Sequence, residues 1–69
     1  MKAEDIKNLR AALGKTQQGL ADSIGVDVQT VQAWEQKRKR PSRLARRALE
    51  VLRALAQRDM AQLAETAKE

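Results

Sequence analysis

Apolar residues recur at helical spacing along most of the chain, and polar residues fill the positions between them. Ile6, Leu9 and Leu13 fall on one face and predict a helix over 3–13. Glu4 and Asp5 lie near the positive end of its dipole, and Gly14 is its stop. Leu20, Ala21 and Ile24 mark a second helix over 17–24, with Thr16 as its cap, and Val31 and Trp34 mark a third from 28 to about 36. Lys37 to Pro41 carries no apolar periodicity and precedes a proline, so it reads as a loop. Ser42 then caps a fourth helix in which Leu44, Ala48, Val51, Leu52 and Leu55 recur at i, i+4, i+7, i+8 and i+11. That face is expected to close the core, with Leu49 off the stripe. Beyond it, Asp59 and Gln62 can form a capping box that starts a short fifth helix carrying Met60, Leu63 and Ala67. One continuous helix to about residue 66 is the competing reading.

The second and third helices are joined by a corner of only about three residues. Gly25 can take the left-handed conformation that ends a helix, Val26 is apolar, and Asp27 can cap the next helix with its carboxylate. Helices joined so tightly must cross steeply, and Ala21 is small enough for the crossing point. This is helix-turn-helix geometry.

Composition narrows the class. A chain of 69 residues makes one domain with a thin core, and its Ala- and Leu-rich, Gly- and Pro-poor makeup favours an all-α fold. The absence of Cys excludes disulfides and thiolate metal sites, and the absence of His removes the commonest catalytic base. No cofactor or metal is expected. No signal peptide or membrane-length apolar run occurs, so a soluble intracellular protein is expected. The formal net charge is +5, and seven of the fourteen basic residues lie between Lys37 and Arg47: Lys37, Arg38, Lys39, Arg40, Arg43, Arg46 and Arg47. No acid interrupts them. Their mutual repulsion opposes folding, which points to an anionic partner.

With Val31 and Trp34 turned inward, a step of about 100° per residue places Gln29 and Ala33 on the opposite face of the third helix, flanked by Gln32 and Gln36, with Val28 at the tip. Such a face suits the DNA major groove, where Gln can bond adenine N6 and N7 and Val or Ala methyls can meet a thymine methyl. Val28, Gln29, Gln32 and Ala33 are therefore the candidate base readers. The start of the second helix, with Gln17 and Gln18, together with Gln36, Lys37, Arg38, Lys39, Arg40 and Arg43, is placed against the phosphates. Trp34, the only aromatic, is assigned to the core. Gly19, in a helix interior, has no evident reason.

Thr16-Gln17, Leu20-Ala21, Gly25, Val31, Trp34-Glu35 and the basic run ending in Pro41-Ser42 resemble, position by position, the Cro/C1-type (XRE) family of DNA-binding regulators. The resemblance covers roughly Ile6 to Leu55. It implies a compact four- to five-helix bundle of the lambda-repressor-like type, with the helix-turn-helix at 17–36, and an ion pair between Arg10 and Glu35. The family usually has Gly where Lys37 stands, so either a left-handed lysine or a longer third helix is expected.

The leading functional expectation is a sequence-specific regulator of double-stranded DNA, a repressor or autorepressor acting by occupancy, since the module leaves no room for a sensor domain. It would act as a dimer on an inverted repeat, through an interface in the segment 49–66 built on Leu49, Met60 and Leu63. A phage-type repressor, an antitoxin that also binds a co-encoded toxin, and an anti-CRISPR-associated autoregulator all fit, in the cytoplasm at the nucleoid of a bacterial or phage-infected cell. A charge-only RNA binder is disfavoured by the lack of an exposed aromatic. An enzyme is not expected: Asp22, Asp27, Glu35 and Glu50 are scattered and form no acid–base constellation.

Overall fold

A computed structural model describes residues 1–67, with side chains through Arg58. The fold is all-helical: α1 Ala3–Leu13, α2 Gln17–Ile24, α3 Val28–Glu35 and α4 Arg43–Ala67. Each boundary has a local cause. The Lys2 amide is held by the Asp5 carboxylate at 2.8 Å, and the Gly19 amide by Thr16 Oγ1 at 3.0 Å. The Ala45 amide donates to Ser42 Oγ at 3.2 Å, so the first turn of α4 is tied down by a side-chain cap. Gly14 and Gly25 end α1 and α2 with φ of 64° and 87°, a region where a Cβ would strain the backbone. Asp27 departs from expectation. Its carboxylate makes no capping bond, and α3 is entered through the Asp27 carbonyl, which accepts from the Thr30 amide at 2.9 Å.

The core gathers Ile6 and Leu9 from α1, Leu20 and Ala21 from α2, Val31 and Trp34 from α3, and Ala45 and Leu49 from α4. α2 packs against α3, and Ala21 of α2 has no exposed surface. α1 and α4 close over the pair.

In the C-terminal half, the choice left open by the sequence is decided for the continuous helix, since α4 runs unbroken past Asp59 to Ala67, and the expectations for its buried face and for Leu49 are corrected. Its buried stripe is Ala45, Leu49 and Ala56, with Leu52 packed against the core, while Leu44, Val51 and Leu55 are 82%, 54% and 50% exposed. Leu49 has no exposed surface, so it belongs to the monomer core and not to a dimer interface. α4 carries two adjacent apolar stripes of equal helical spacing, and alanines at 45 and 56 let its backbone approach the other helices where leucines would hold it off. The side chains of Met60 and Leu63 lie outside the described residues.

Candidate nucleic-acid interface

α3 is held most firmly at its C-terminal end. At its C-terminus the Glu35 carboxylate, only 5% exposed, receives Arg10 Nε at 2.7 Å and Arg10 Nη2 at 2.8 Å, a two-pronged pair between α1 and α3. Gln17 Nε2 of α2 adds a longer bond to Glu35 Oε1 at 3.3 Å. A buried anion at a helix C-terminus is opposed by both desolvation and the dipole, so the guanidinium is what makes it tolerable. The Arg10 hydrogen bond holds the Glu35 carboxyl below its ordinary value against the opposing effect of burial, and the Arg10 guanidinium is correspondingly raised. Three helices thus meet on one carboxylate, and their meeting fixes how α3 is aimed.

The chain leaves α3 through a left-handed lysine. Lys37 has φ of 63°, its amide donates to the Trp34 carbonyl at 3.2 Å, and the Arg38 amide reaches back to Ala33 at 2.9 Å. This paired closure is a Schellman cap with lysine where glycine is normally found, so the first of the two sequence expectations holds, and α3 does not run on. The backbone is tethered rather than loose, and it displays four cations in succession. Lys37, Arg38, Lys39 and Arg40 are all exposed, as are Arg43, Arg46 and Arg47 at the start of α4.

Gln29 stands exposed on α3 and Gln36 at its C-cap, and Val28 and Gln32 are half-buried. Ala33 is corrected: it is 8% exposed. The sequence wheel put its methyl outward, but the chain folds back there, where both the Arg38 and Lys39 amides bond to its carbonyl. Gln17 is half-buried and turned toward Glu35, whereas Gln18 is exposed with its amide 2.9 Å from Asp22 Oδ1. Thr30, half-buried on the first turn of α3, was not singled out by the sequence; its place one residue after Gln29 was the available signal. Nothing in the structure requires glycine at 19, where an added Cβ would lie 3.4 Å from Thr16 Oγ1 in ordinary contact.

A shallow groove of about 250 Å³ lies elsewhere, between α1 and α4, lined by Asp5, Leu9, Ala12, Arg53 and Ala56 among others, with no residue from α2, α3 or the basic loop. No helix of the described residues is long and apolar enough to cross a membrane.

A short helix braced at its base, presenting amides on one side and followed by a tethered run of cations, has the form that helix-turn-helix domains present to DNA. Residues 6–45 match the helix-turn-helix family model, and the chain belongs to that family, in its Cro/C1 (XRE) type of DNA-binding regulator. Among curated proteins and solved structures, none matches.

Proposed function

We propose that this protein is a sequence-specific repressor or autorepressor that occupies an inverted-repeat operator as two copies, in the cytoplasm where that DNA lies. The observation that carries the reading is the pairing of an exposed, uncharged amide face on α3 with a backbone-tethered cation run directly after it. Gln29 and Gln32, with Val28 at the tip, read base edges. Lys37, Arg38, Lys39, Arg40 and Arg43 grip phosphates, with Gln18 and Gln36 adding polar contacts. Ala33, being covered, takes no part in reading. Gln17 serves the Glu35 cluster first. Neither reading nor gripping asks for bond-making chemistry, which supports a binding role over catalysis.

The test is selection of bound duplexes from random DNA followed by competition. A regulator enriches one sequence and prefers it over bulk DNA by about 10³-fold or more. Equal binding to all duplexes would leave only a charge-driven binder.

A further inference from the structure

The polar side chains of the helix-turn-helix divide by element. On α2 they are taken up within the protein: Gln17 bonds Glu35, Gln18 bonds Asp22, and Ser23 accepts from Lys15 Nζ at 2.8 Å while donating to the Gly19 carbonyl at 3.0 Å. From the corner onward, Asp27, Gln29, Gln32 and Gln36 make no side-chain hydrogen bond or ion pair among the described residues. Three of these are amides. Asp27 differs, being an exposed carboxylate at the N-cap of α3 that does not cap it. Thr16 and Ser42, at the starts of α2 and α4, do use their hydroxyls to hold a first-turn amide, at 3.0 and 3.2 Å. The other acids of the two helices are also engaged, Asp22 by Gln18 at 2.9 Å and Glu35 by Arg10 at 2.7 Å. We propose that Asp27 is a specificity-determining residue, its carboxylate accepting a hydrogen bond from the exocyclic amine of a cytosine in the major groove. The proposal rests on the operator-binding reading above and names one base of that operator.

An N-cap side chain emerges beside the second and third residues of its helix, here Gln29 and Thr30. Asp27 therefore stands at the same leading tip as Val28 and Gln29, and recognition helices meet base edges with their N-terminal residues. A carboxylate can only accept. Against a phosphate or an acceptor it is repelled and loses water with nothing in return, so its presence at the tip selects for a donor. Guanine presents the acceptors N7 and O6, and thymine presents O4 and a methyl, so both are disfavoured. Adenine presents its N6 amine beside N7, an acceptor that would face the second carboxylate oxygen. Cytosine presents the N4 amine with no acceptor on its own edge. The tip thus carries two complementary readers, the Gln29 amide suited to adenine and the Asp27 carboxylate suited to cytosine.

The test compares duplexes selected from random DNA by the wild-type protein and by Asp27→Asn and Asp27→Ala. Competition among four duplexes that differ at a single base pair then measures each preference. Wild type should favour cytosine at one position by about tenfold over any other base. Asparagine has the same shape and caps helices as well as aspartate, but it pairs with adenine N6 and N7. Asp27→Asn should therefore move the preference at that position from cytosine to adenine and leave the other positions as they were. Asp27→Ala should level the position, and it should bind duplexes lacking the cytosine more tightly than wild type does, because the repelled anion is gone. Replacing that cytosine by 2-pyrimidinone, which lacks only the amine, should cost wild type the tenfold and leave Asp27→Ala unaffected. The unfolding midpoint of the free Asp27→Asn protein should match that of wild type.

A selected motif with no position that differs between wild type and Asp27→Asn would overturn the proposal. So would an equal loss on all duplexes with a lowered midpoint, the result a helix cap would give. Either result, obtained with a wild-type protein that selects a clear motif, leaves the regulator standing. A wild-type protein that prefers no duplex would remove both.

Discussion

Gln29 and Arg43 divide the work of binding if α3 reads bases and the following segment grips the backbone. Gln29→Ala should weaken binding to the selected sequence by roughly 1–3 kcal/mol and relax preference at one base position. Arg43→Ala should weaken binding to every duplex alike and lower the slope of log K against log salt by about 0.9. Binding measured on matched and single-base-altered duplexes separates the two, and uniform loss in both variants would refute the division. Lys37 poses a sharper question, because it sits left-handed where glycine would be unstrained. Lys37→Gly should raise stability by about 1 kcal/mol, a Tm gain of roughly 4–8 °C in a domain of this size. If DNA affinity falls at the same time, the strain is held for the sake of the charge. A stabilised variant with unchanged affinity and salt slope would show that Lys37 touches no phosphate. The left-handed lysine was one of two outcomes open from the sequence, since only the backbone's return to Ala33 decides whether α3 stops or continues.

Helices one to three were legible because their apolar residues leave a single choice of inward face, and because glycines at 14 and 25 punctuate them. α4 was not. Its two stripes have the same spacing, and the sequence favoured the one with the larger side chains, whereas packing selected the one whose alanines allow close approach. The difference is measurable: Leu49→Ala should cost about 2–5 kcal/mol by leaving a cavity, while Leu44→Ala should stay within roughly 0.5 kcal/mol. Chemical denaturation of the two variants decides between the stripes. The brace between α1 and α3 carries a pH dependence of known sign. Glu35 titrates below its unfolded value because of Arg10, so its contribution is present above the unfolded carboxylate pKa of about 4.3 and is lost as pH falls through the lower folded value. In Arg10→Met, burial of Glu35 persists without its main partner, which should cost about 2 kcal/mol at pH 7. Protonation then relieves the uncompensated charge. The gap between wild type and variant should therefore narrow as pH is lowered toward 3.5, and a gap that stays constant would mean the pair contributes through packing alone.

At the scale of the whole molecule, a thin core supports a surface whose charge is concentrated on one segment, and that imbalance predicts how binding responds to salt. Each phosphate neutralised by Lys or Arg releases counterions worth a slope of about −0.9 in log K against log salt. The backbones of Lys37, Arg38 and Lys39 are held by the α3 closure and Arg43 opens α4 behind the Ser42 cap, so the segment that carries Arg40 is tied at both ends rather than being a loose loop. Arg46 is the more diverted cation, lying 4.0 Å from Glu50 on α4. If the five act as a set, one copy on a single half-site should show a slope of about −4 to −5, and two copies on a double site about twice that. The charge run was visible in the sequence, but its tethering was not, since a free loop of the same composition would engage phosphates singly. A single-site slope near −1 to −2 would mean that most of these cations point away from the duplex, and would return the segment to a solubility patch. A steep slope that vanishes only when Lys37 to Arg40 are neutralised together would identify the cap after α3 as the element that converts a braced helix into a DNA grip.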